Sequence, residues 1–366
     1  MRVQIRLAAL AVALTFMAAP AVRLAAQQPV QPVSQTADEK KYRPGRPDMS
    51  VAGGAEIVPV QGNVVLIATG RSANVVAQVG EMGVLLVDAG SAETSADVIA
   101  AIARTGKGPV KAIVSTTTDL DHIGGNARVA QTGQPLFLGA IGATTAPQAQ
   151  VFASEKALML VSAPTGQASA VPSALWPTDT YVGTKRKLHF NHEPIEVLAV
   201  PGHTGGDSIV WFRGSDVIAA GDIFSTLSYP KWDAARGGSF QGVLDGLNRL
   251  IDIAVPELNQ QGGTRVVPAH GRIANQSDVV EYRDMVTIIR DRVRDAVTAG
   301  RTLDQIKAAR YTLDYDGIYS VPDYTGDAFV EGLFKEVSAS ASPTKPVSPK
   351  LAAPKRAEPA KAGAKK

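Results

Sequence analysis

The sequence contains no cysteine among its 366 residues. This absence excludes disulfide bonds, a cysteine-linked lipid anchor and a thiolate metal site, so any metal ligand must be a nitrogen or an oxygen atom. The folded protein must therefore be stabilised by its hydrophobic core and by any metal that it binds.

Long apolar runs are also scarce. The main one, residues 7–21, is shorter than the roughly 20 residues that a membrane-spanning helix needs. Arg2 and Arg6 precede it, and small residues suited to cleavage follow at 19–21 and 24–26, features that resemble a secretory signal peptide. We therefore predict a signal peptide over residues 1–26, a periplasmic or secreted location, and no transmembrane segment in the mature chain.

The net charge of +3 is unevenly distributed along the chain. Residues 339–366 carry seven basic residues against one acid (+6) and the first 26 residues add +3, which leaves −6 for the region between them. The negative charge of this central region argues against nucleic acid as a partner of the folded domain. The Ala/Pro/Lys-rich tail, residues 338–366, is predicted to be disordered, with contact to an anionic surface as the alternative role, and residues 27–50 are predicted to be a linker.

The sequence is 45% hydrophobic and 19% charged, which is the composition of an ordinary globular protein. Strands alternate with amphipathic helices up to about residue 130, a pattern typical of an α/β layer. Strands are predicted at residues 63–68, 75–79, 84–87, 112–114, 208–212 and 217–220, with a hairpin over 187–200 that turns near Asn191. Helices are predicted at residues 93–104, 148–160 and 278–299, and after the caps Ser239 and Thr302. The region 137–183 shows no other clear pattern.

Four segments share one pattern, in which an apolar run stops at a small or polar residue and a histidine or an aspartate follows. They are residues 119–126 (Asp-Leu-Asp-His-Ile-Gly-Gly-Asn), 202–204 (Gly-His-Thr), 221–222 (Gly-Asp) and 268–271 (Pro-Ala-His-Gly). An isolated Asp-His pair is usually a helix cap or a surface contact, but three of the five histidines lie in these segments. Such side chains at the ends of buried strands are typical of a metal centre.

These four segments, in this order, resemble the metal-binding motifs of the metallo-β-lactamase superfamily, and the resemblance extends over residues 51–337. Residues 221–224, 229–230 and 237–239 are also similar to a secreted branch of metallo-hydrolases. The resemblance implies an α/β fold, a four-layer αββα sandwich of two mixed β-sheets with helices on both outer faces, and a metal site along one edge.

The first motif departs from the family pattern His-x-His-x-Asp-His, because Thr117 and Asp119 stand at the two leading histidine positions. The resemblance implies that Asp121, His122, Asp222 and His270 form a complete second metal site. The first site would keep His203 and share Asp222, and Asp119 is a candidate ligand because relatives with a carboxylate there bind iron. A neutral threonine hydroxyl compensates little charge, so we expect the first metal to be weak or absent. Zinc, as one or two ions, is the expected cofactor, with iron or manganese as alternatives.

The implied chemistry is hydrolysis, since a bound divalent ion activates water and polarises a carbonyl group. Asp121 or Asp119 would handle the proton. The predicted function is therefore an exported metal-dependent hydrolase of a small ester, lactone, thioester or amide, β-lactams included. The alternative is a non-catalytic descendant that keeps the fold for metal binding or scaffolding. An iron-dependent redox protein is a third interpretation.

Other polar and aromatic residues receive structural interpretations. Asp88 is expected to bond the loop that carries the first motif, Thr117 to bond the backbone of that loop, and Gly124 and Gly125 to allow close backbone approach. Three residues are candidates for the substrate mouth, with core packing as the alternative for the second: Tyr229, Trp232 and Ser239. The two remaining histidines, His189 and His192, flank the predicted hairpin turn and are expected to be exposed.

Overall fold

The computed structural model describes residues 54–136, 148–163, 167–259 and 262–341. Seven strands form the first sheet in chain order: β1 (Glu56–Gln61), β2 (Val64–Ala68), β3 (Val75–Gly80), β4 (Gly83–Val87), β5 (Val110–Val114), β6 (Gln150–Ser154) and β7 (Asp179–Tyr181). The pairs from β1 to β4 are antiparallel, and those from β4 to β7 are parallel, so the sheet is mixed.

The second sheet has five strands in the order β12-β11-β10-β9-β8. They are β8 (Lys185–Phe190), β9 (Glu193–Ala199), β10 (Ser208–Phe212), β11 (Val217–Ser225) and β12 (Arg265–His270). Only β11 and β12 pair in parallel. Asn191 and His192 join β8 to β9 with positive φ angles of 46° and 66°, the backbone of a tight two-residue hairpin turn.

Nine α-helices lie in the described part of the chain: α1 (Ser95–Thr105), α2 (Leu120–Ile123), α3 (Asn126–Gln131), α4 (Glu155–Val161), α5 (Phe240–Ile253), α6 (Gln276–Thr298), α7 (Leu303–Ala308), α8 (Asp316–Tyr319) and α9 (Gly326–Ala341). Ser239 accepts a hydrogen bond from the backbone of Gly242 and caps α5. Asn275 begins α6 with a capping box, and Thr302 with Gln305 forms another at α7. None of these helices is long and apolar enough to span a membrane.

Three hydrophobic clusters divide the fold into layers. The middle cluster joins side chains of both sheets, such as Val87 and Val114 from the first and Val210 and Phe212 from the second. A second cluster packs α1 and α3 on the outer face of the first sheet, and a third packs α5, α6 and α9 on the outer face of the second sheet. Two mixed sheets with helices on both outer faces make the four-layer αββα sandwich, which confirms the predicted fold.

Several sequence predictions of local structure need correction. Residues 148–160 are not one helix, because residues 150–154 pair with β5 as strand β6 and only Glu155–Val161 is helical. Strand β1 was not predicted, and β11 continues past Asp222 to Ser225. Helix α9 continues to Ala341. The predicted signal peptide, the linker and nearly all of the tail lie outside the described residues.

Candidate metal centre

All six predicted ligand residues lie along one edge of the sandwich. Asp119, Asp121 and His122 follow β5, where the chain turns into the short helix α2. The remaining three come from the second sheet: His203 follows β9, Asp222 lies within β11, and His270 is the last residue of β12. Because these strands end at the same edge, side chains that are up to 151 positions apart in the sequence (119 to 270) meet in space.

Four of these residues are the ones that the family pattern implies for the second site. Donor atoms of Asp121, His122 and His270 lie within 4.8 Å of one another. Nε2 of His270 lies 3.2 Å from Oδ2 of Asp121 and 3.6 Å from Oδ1 of Asp222. Nε2 of His122 lies 3.1 Å from Oδ2 of Asp222. Two imidazoles and two carboxylates around one point are a nitrogen and oxygen donor set that zinc accepts at about 2.0–2.2 Å.

The ring of His122 is held from behind by Asp88, as predicted for that aspartate. His122 is fully buried, and its Nδ1 lies 3.0 Å from Oδ2 of Asp88. Asp88 also accepts hydrogen bonds from the backbone and the hydroxyl of Thr116, at 2.8 and 2.7 Å. With a proton on Nδ1, the opposite nitrogen presents its lone pair to the centre.

The surroundings of Nε2 of His122 test whether the site can hold a metal ion. This buried nitrogen has no hydrogen-bond partner among the described residues, although Oδ2 of Asp222 lies 3.1 Å from it. Burial lowers the pKa of His122, but the carboxylates of Asp222 and Asp88 outweigh it and raise that pKa well above its ordinary value. A buried imidazole nitrogen without a hydrogen bond, near the carboxylates of Asp222 and Asp121, is the environment of a cation ligand, so the residues of the second site fit a metal.

Gly221 brings Asp222 to this position by distorting β11. It has a φ of +54°, and the register between β11 and β12 shifts on both sides of it. A Cβ atom at Gly221 would lie 2.9 Å from the side chain of Thr116. Burial raises the pKa of Asp222, but the positive charges of His122, His270 and His203 outweigh it and lower that pKa well below its usual range. The bulge thus lets the second sheet approach the loop of the first motif and inserts a carboxylate between three histidines.

The first site is differently built. Donor atoms of Asp119, His203 and Asp222 lie within 4.8 Å of one another, and Nε2 of His203 is 2.9 Å from Oδ2 of Asp119. Nδ1 of His203 donates to the carbonyl of Lys231 at 3.0 Å. Burial lowers the pKa of His203, but the hydrogen bond to Asp119 and the charge of Asp222 raise it to about 9. His203 is therefore bonded to Asp119 through the same nitrogen that a first metal ion would use.

Thr117 does not bond the loop backbone, contrary to the sequence prediction. Its side chain is 1% exposed, and its Oγ1 has no hydrogen-bond partner among the described residues. A hydroxyl that reaches neither the backbone nor the other polar groups of the loop supplies no charge to the first site, so that site has fewer anionic or basic donors than the second.

Arg236 is a component of the site that the sequence did not predict. Its NH1 contacts Oδ1 of Asp119 and donates to Thr118 Oγ1 at 3.3 Å, and its Nε donates to Oδ2 of Asp233 at 2.7 Å. Burial raises the pKa of Asp119, but hydrogen bonds from His203 and Arg236 outweigh it and lower that pKa to about 2. Each oxygen of Asp119 is thus bonded by a different side chain, His203 on one side and Arg236 on the other.

Two further residues fix the loops that carry the ligands. Asn74 donates from its side chain to the carbonyls of Pro268 and Gly271, at 2.9 and 3.0 Å, and so anchors the end of β12 around His270. Asp207 accepts from the backbones of Thr204 and Gly202, which flank His203. Neither residue lies in a family motif, so only their contacts reveal these roles.

A cleft of about 420 Å³ opens over the site. Five of the candidate ligands border it (Asp119, Asp121, His203, Asp222 and His270), together with the polar side chains of Ser225, Ser228, Lys231 and Asp323. Tyr229 is fully buried, and its ring stacks on that of Phe329 with the ring centroids 4.9 Å apart. Trp232 packs against Phe240 and Phe329. Tyr229 therefore lies beneath the cleft, whereas Trp232 packs on the core and Ser239 acts as a helix cap. His189 and His192 are exposed, as predicted.

Residues 59–270 match the family model of the Metallo-beta-lactamase superfamily. The structure of a double mutant of the sec-alkyl sulfatase PisA1 superposes with a TM-score of 0.55 at 14% identity, and the alignment covers 78% of this chain and 50% of the sulfatase. The stereoselective inverting sec-alkylsulfatase Pisa1 from Pseudomonas sp. gives 0.51 at 15% identity, with 77% and 50% covered. The present chain thus spans about half the length of these sulfatases.

A metallo-beta-lactamase from Pontibacter korlensis aligns with a TM-score of 0.46 at 18% identity, over 63% of this chain and 97% of the lactamase. No curated protein sequence matches the chain. At such low identities the sulfatase likeness supports the fold alone. The family match is stronger evidence than the structural likeness, because it covers more than half of the chain and includes all six residues of the metal edge. The chain belongs to the metallo-β-lactamase superfamily, whose members are metal-dependent hydrolases.

Proposed function

We propose that this protein is an exported metal-dependent hydrolase with one strong metal site, formed by Asp121, His122, Asp222 and His270. The observation that carries the proposal is that donor atoms of Asp121, His122 and His270 lie within 4.8 Å of one another and that Asp222 lies 3.1 and 3.6 Å from the two histidines, with the buried Nε2 of His122 left without a hydrogen bond among the described residues. A divalent cation held there would polarise a carbonyl group and lower the pKa of a coordinated water from 15.7 to about 7.

The surrounding residues orient one ligand and supply the group that carries the proton. Asp88 and the buried packing of His122 hold that imidazole in one orientation, so the ligand geometry is preorganised. Asp121 is the better proton carrier of the two candidates, because its side chain is 42% exposed at the cleft. Asp119 is already engaged by His203 and Arg236, which stabilise its charged form and weaken it as a base.

The cleft supports a small-molecule substrate. Its volume of about 420 Å³ lies within the range of about 300–1,000 Å³ that is usual for small-ligand sites. Lys231, Ser225 and Ser228 offer a cation and two hydroxyl groups at its border. We propose an ester, lactone, thioester or amide, β-lactams included, as the substrate class, and zinc as the metal, with iron or manganese as alternatives.

The decisive test combines metal analysis with a hydrolysis screen on the full-length protein and on Asp121→Ala. The panel should contain a nitrophenyl ester, a homoserine lactone, a thioester, a β-lactam and a secondary alkyl sulfate. We expect about one equivalent of metal and a hydrolytic activity that Asp121→Ala lowers by at least 100-fold. Asp284→Ala is the matched control and should keep the activity, because that carboxylate is 56% exposed on α6 and does not border the cleft.

The non-catalytic alternative is supported by the ion pair between Asp119 and Arg236 at the first site. It predicts bound metal without turnover on any member of the panel. Absence of both metal and Asp121-dependent turnover would refute the hydrolase proposal. Export is tested separately, by detecting the protein and its N-terminal sequence in the periplasmic and culture fractions; a cytoplasmic protein that keeps residues 1–26 would contradict it.

A further inference from the structure

We propose that Arg236 replaces the first metal ion of the site, so that its guanidinium neutralises Asp119 and limits the protein to one ion. This inference rests on the proposed metal site at Asp121, His122, Asp222 and His270. It goes further by naming the residue that sets the number of ions.

The first position has only two donors that it does not share with the second site. Thr117 offers only a neutral, buried hydroxyl, and Asp222 already faces His122 and His270 of the second site. Asp119 and His203 are the donors that remain, and they already bond each other at 2.9 Å. A zinc ion is usually held by at least three protein ligands, so two unshared donors leave this position incomplete without Asp222.

Arg236 occupies the free side of Asp119. One carboxylate oxygen of Asp119 contacts His203, and the other contacts NH1 of Arg236. Both oxygens of the best anionic donor are therefore already engaged. A guanidinium keeps its proton at any physiological pH, so its charge stays beside Asp119 and repels a second cation.

The position of Arg236 is fixed by a small folded turn. Asp233 accepts hydrogen bonds from the backbone nitrogens of Ala235 and Arg236, at 2.9 and 3.1 Å, and also from Nε of Arg236. The backbone carbonyl of Arg236 accepts a hydrogen bond from Gly205, two residues after His203. The guanidinium is thus preorganised against the loop that carries the first-site histidine, and binding of an ion cannot easily displace it.

The experiment counts zinc ions on the full-length protein, by elemental analysis after gel filtration and by titration calorimetry. We expect one equivalent for the wild type and two for Arg236→Gln, because loss of the guanidinium frees Asp119 to join His203 and Asp222, whose donor atoms lie within 4.8 Å of one another. Arg236→Lys keeps the charge and should stay at one. Arg265→Ala is the matched control, since Arg265 has a similar exposure of 32% and pairs with one carboxylate, Glu257.

Asp119→Asn provides a second test if Arg236→Gln does not fold, as judged by circular dichroism. Under this inference Asp119 is no ligand, so the variant should bind its single zinc ion within about threefold of the wild-type affinity, whereas Asp121→Asn should bind it at least tenfold more weakly. Two ions on the wild-type protein, or one on a folded Arg236→Gln, would overturn the inference and leave the hydrolase proposal standing. A tenfold loss of affinity in Asp119→Asn would also overturn it, and a wild type that binds no metal would overturn both.

Discussion

Oδ2 of Asp88 lies 3.0 Å from Nδ1 of His122, and both side chains are buried between the sheets at the metal edge. Oδ1 of the same carboxyl group accepts the backbone N–H of Thr116. The two oxygens are thus assigned different partners, and the one that faces His122 must be an acceptor. This contact determines which nitrogen of His122 is available to a metal.

We expect Asp88→Asn to weaken zinc binding by roughly 10–100-fold. The amide oxygen must face the N–H of Thr116, so the amide nitrogen faces Nδ1 of His122 and removes the acceptor for its proton. Asp88 has a φ of +61°, which asparagine tolerates, so the backbone should not change. Titration calorimetry measures the effect.

Asp216→Asn is the control for this substitution, because Asp216 also has a positive φ, 53°, and its side chain accepts a hydrogen bond from Thr264 away from the metal edge. Its zinc affinity should equal that of the wild type. An Asp88→Asn protein with unchanged affinity would show that Asp88 only supports the loop.

Metal binding should raise the thermal stability of the protein. A ligand at 100 times its dissociation constant adds about 2.7 kcal/mol, which corresponds to a rise in Tm of roughly 4–6 °C for a domain of this size. A thermal scan with zinc and with a chelator measures this difference. His270→Ala should abolish most of the rise, whereas the exposed His192→Ala should retain it. An equal rise in both variants would place the stabilising ion elsewhere.

Asp207 should make the stability of the metal-free protein depend on pH. Burial raises its pKa from 3.8 to about 6, although hydrogen bonds from Thr204 oppose the shift. The folded state therefore holds this proton more tightly than the unfolded state. The contribution is fully present below pH 4 and is lost as the pH rises through about 6.

Asp207→Asn tests this linkage, because asparagine can keep the contacts with Thr204 and cannot ionise. We expect the wild type to lose roughly 2–3 kcal/mol of unfolding free energy relative to the variant between pH 4 and pH 7. Urea unfolding at several pH values, with a chelator present, gives the two curves. Parallel curves over this range would mean that Asp207 titrates normally.

Gly221→Ala should destabilise the fold more than Gly106→Ala. Both glycines have a positive φ, 54° and 62°, so both substitutions strain the backbone. A Cβ atom at Gly221 also lies 2.9 Å from Thr116, whereas one at Gly106 has nothing within 4 Å. We expect an additional loss of about 1–3 kcal/mol, measured by urea unfolding. Equal losses for the two variants would indicate that the Thr116 side chain moves aside freely.

Much of the fold could be predicted from the sequence because the signals are local. The helix caps Ser239 and Thr302 and the strands around the middle core have patterns that depend on neighbouring residues alone. Residues 148–160 were misassigned because an apolar stretch suits a strand as well as a helix, and the neighbouring strand β5 decides between them. Strand β1 escaped prediction because its side chains are only partly buried.

The candidate site was also predicted only in part from the sequence. Histidines and aspartates at strand ends, together with the family resemblance, identified the six residues, which meet at one edge of the sandwich. Arg236 gave no such signal, since it lies 117 positions from Asp119 and charged residues on turns are common. The same is true of Asn74, which lies 194 positions from the carbonyl it anchors.

The sequence by itself determined the layered α/β architecture, the absence of sulfur ligands and the set of nitrogen and oxygen donors, because these depend on composition and on short patterns. Only the tertiary structure decided which nitrogen of His122 faces the centre, that Asp119 is bound by Arg236, and that Thr117 has no partner among the described residues. These properties arise where the two sheets meet. Distances between residues far apart in the chain, and the charges they bring together, are fixed only when both sheets have packed.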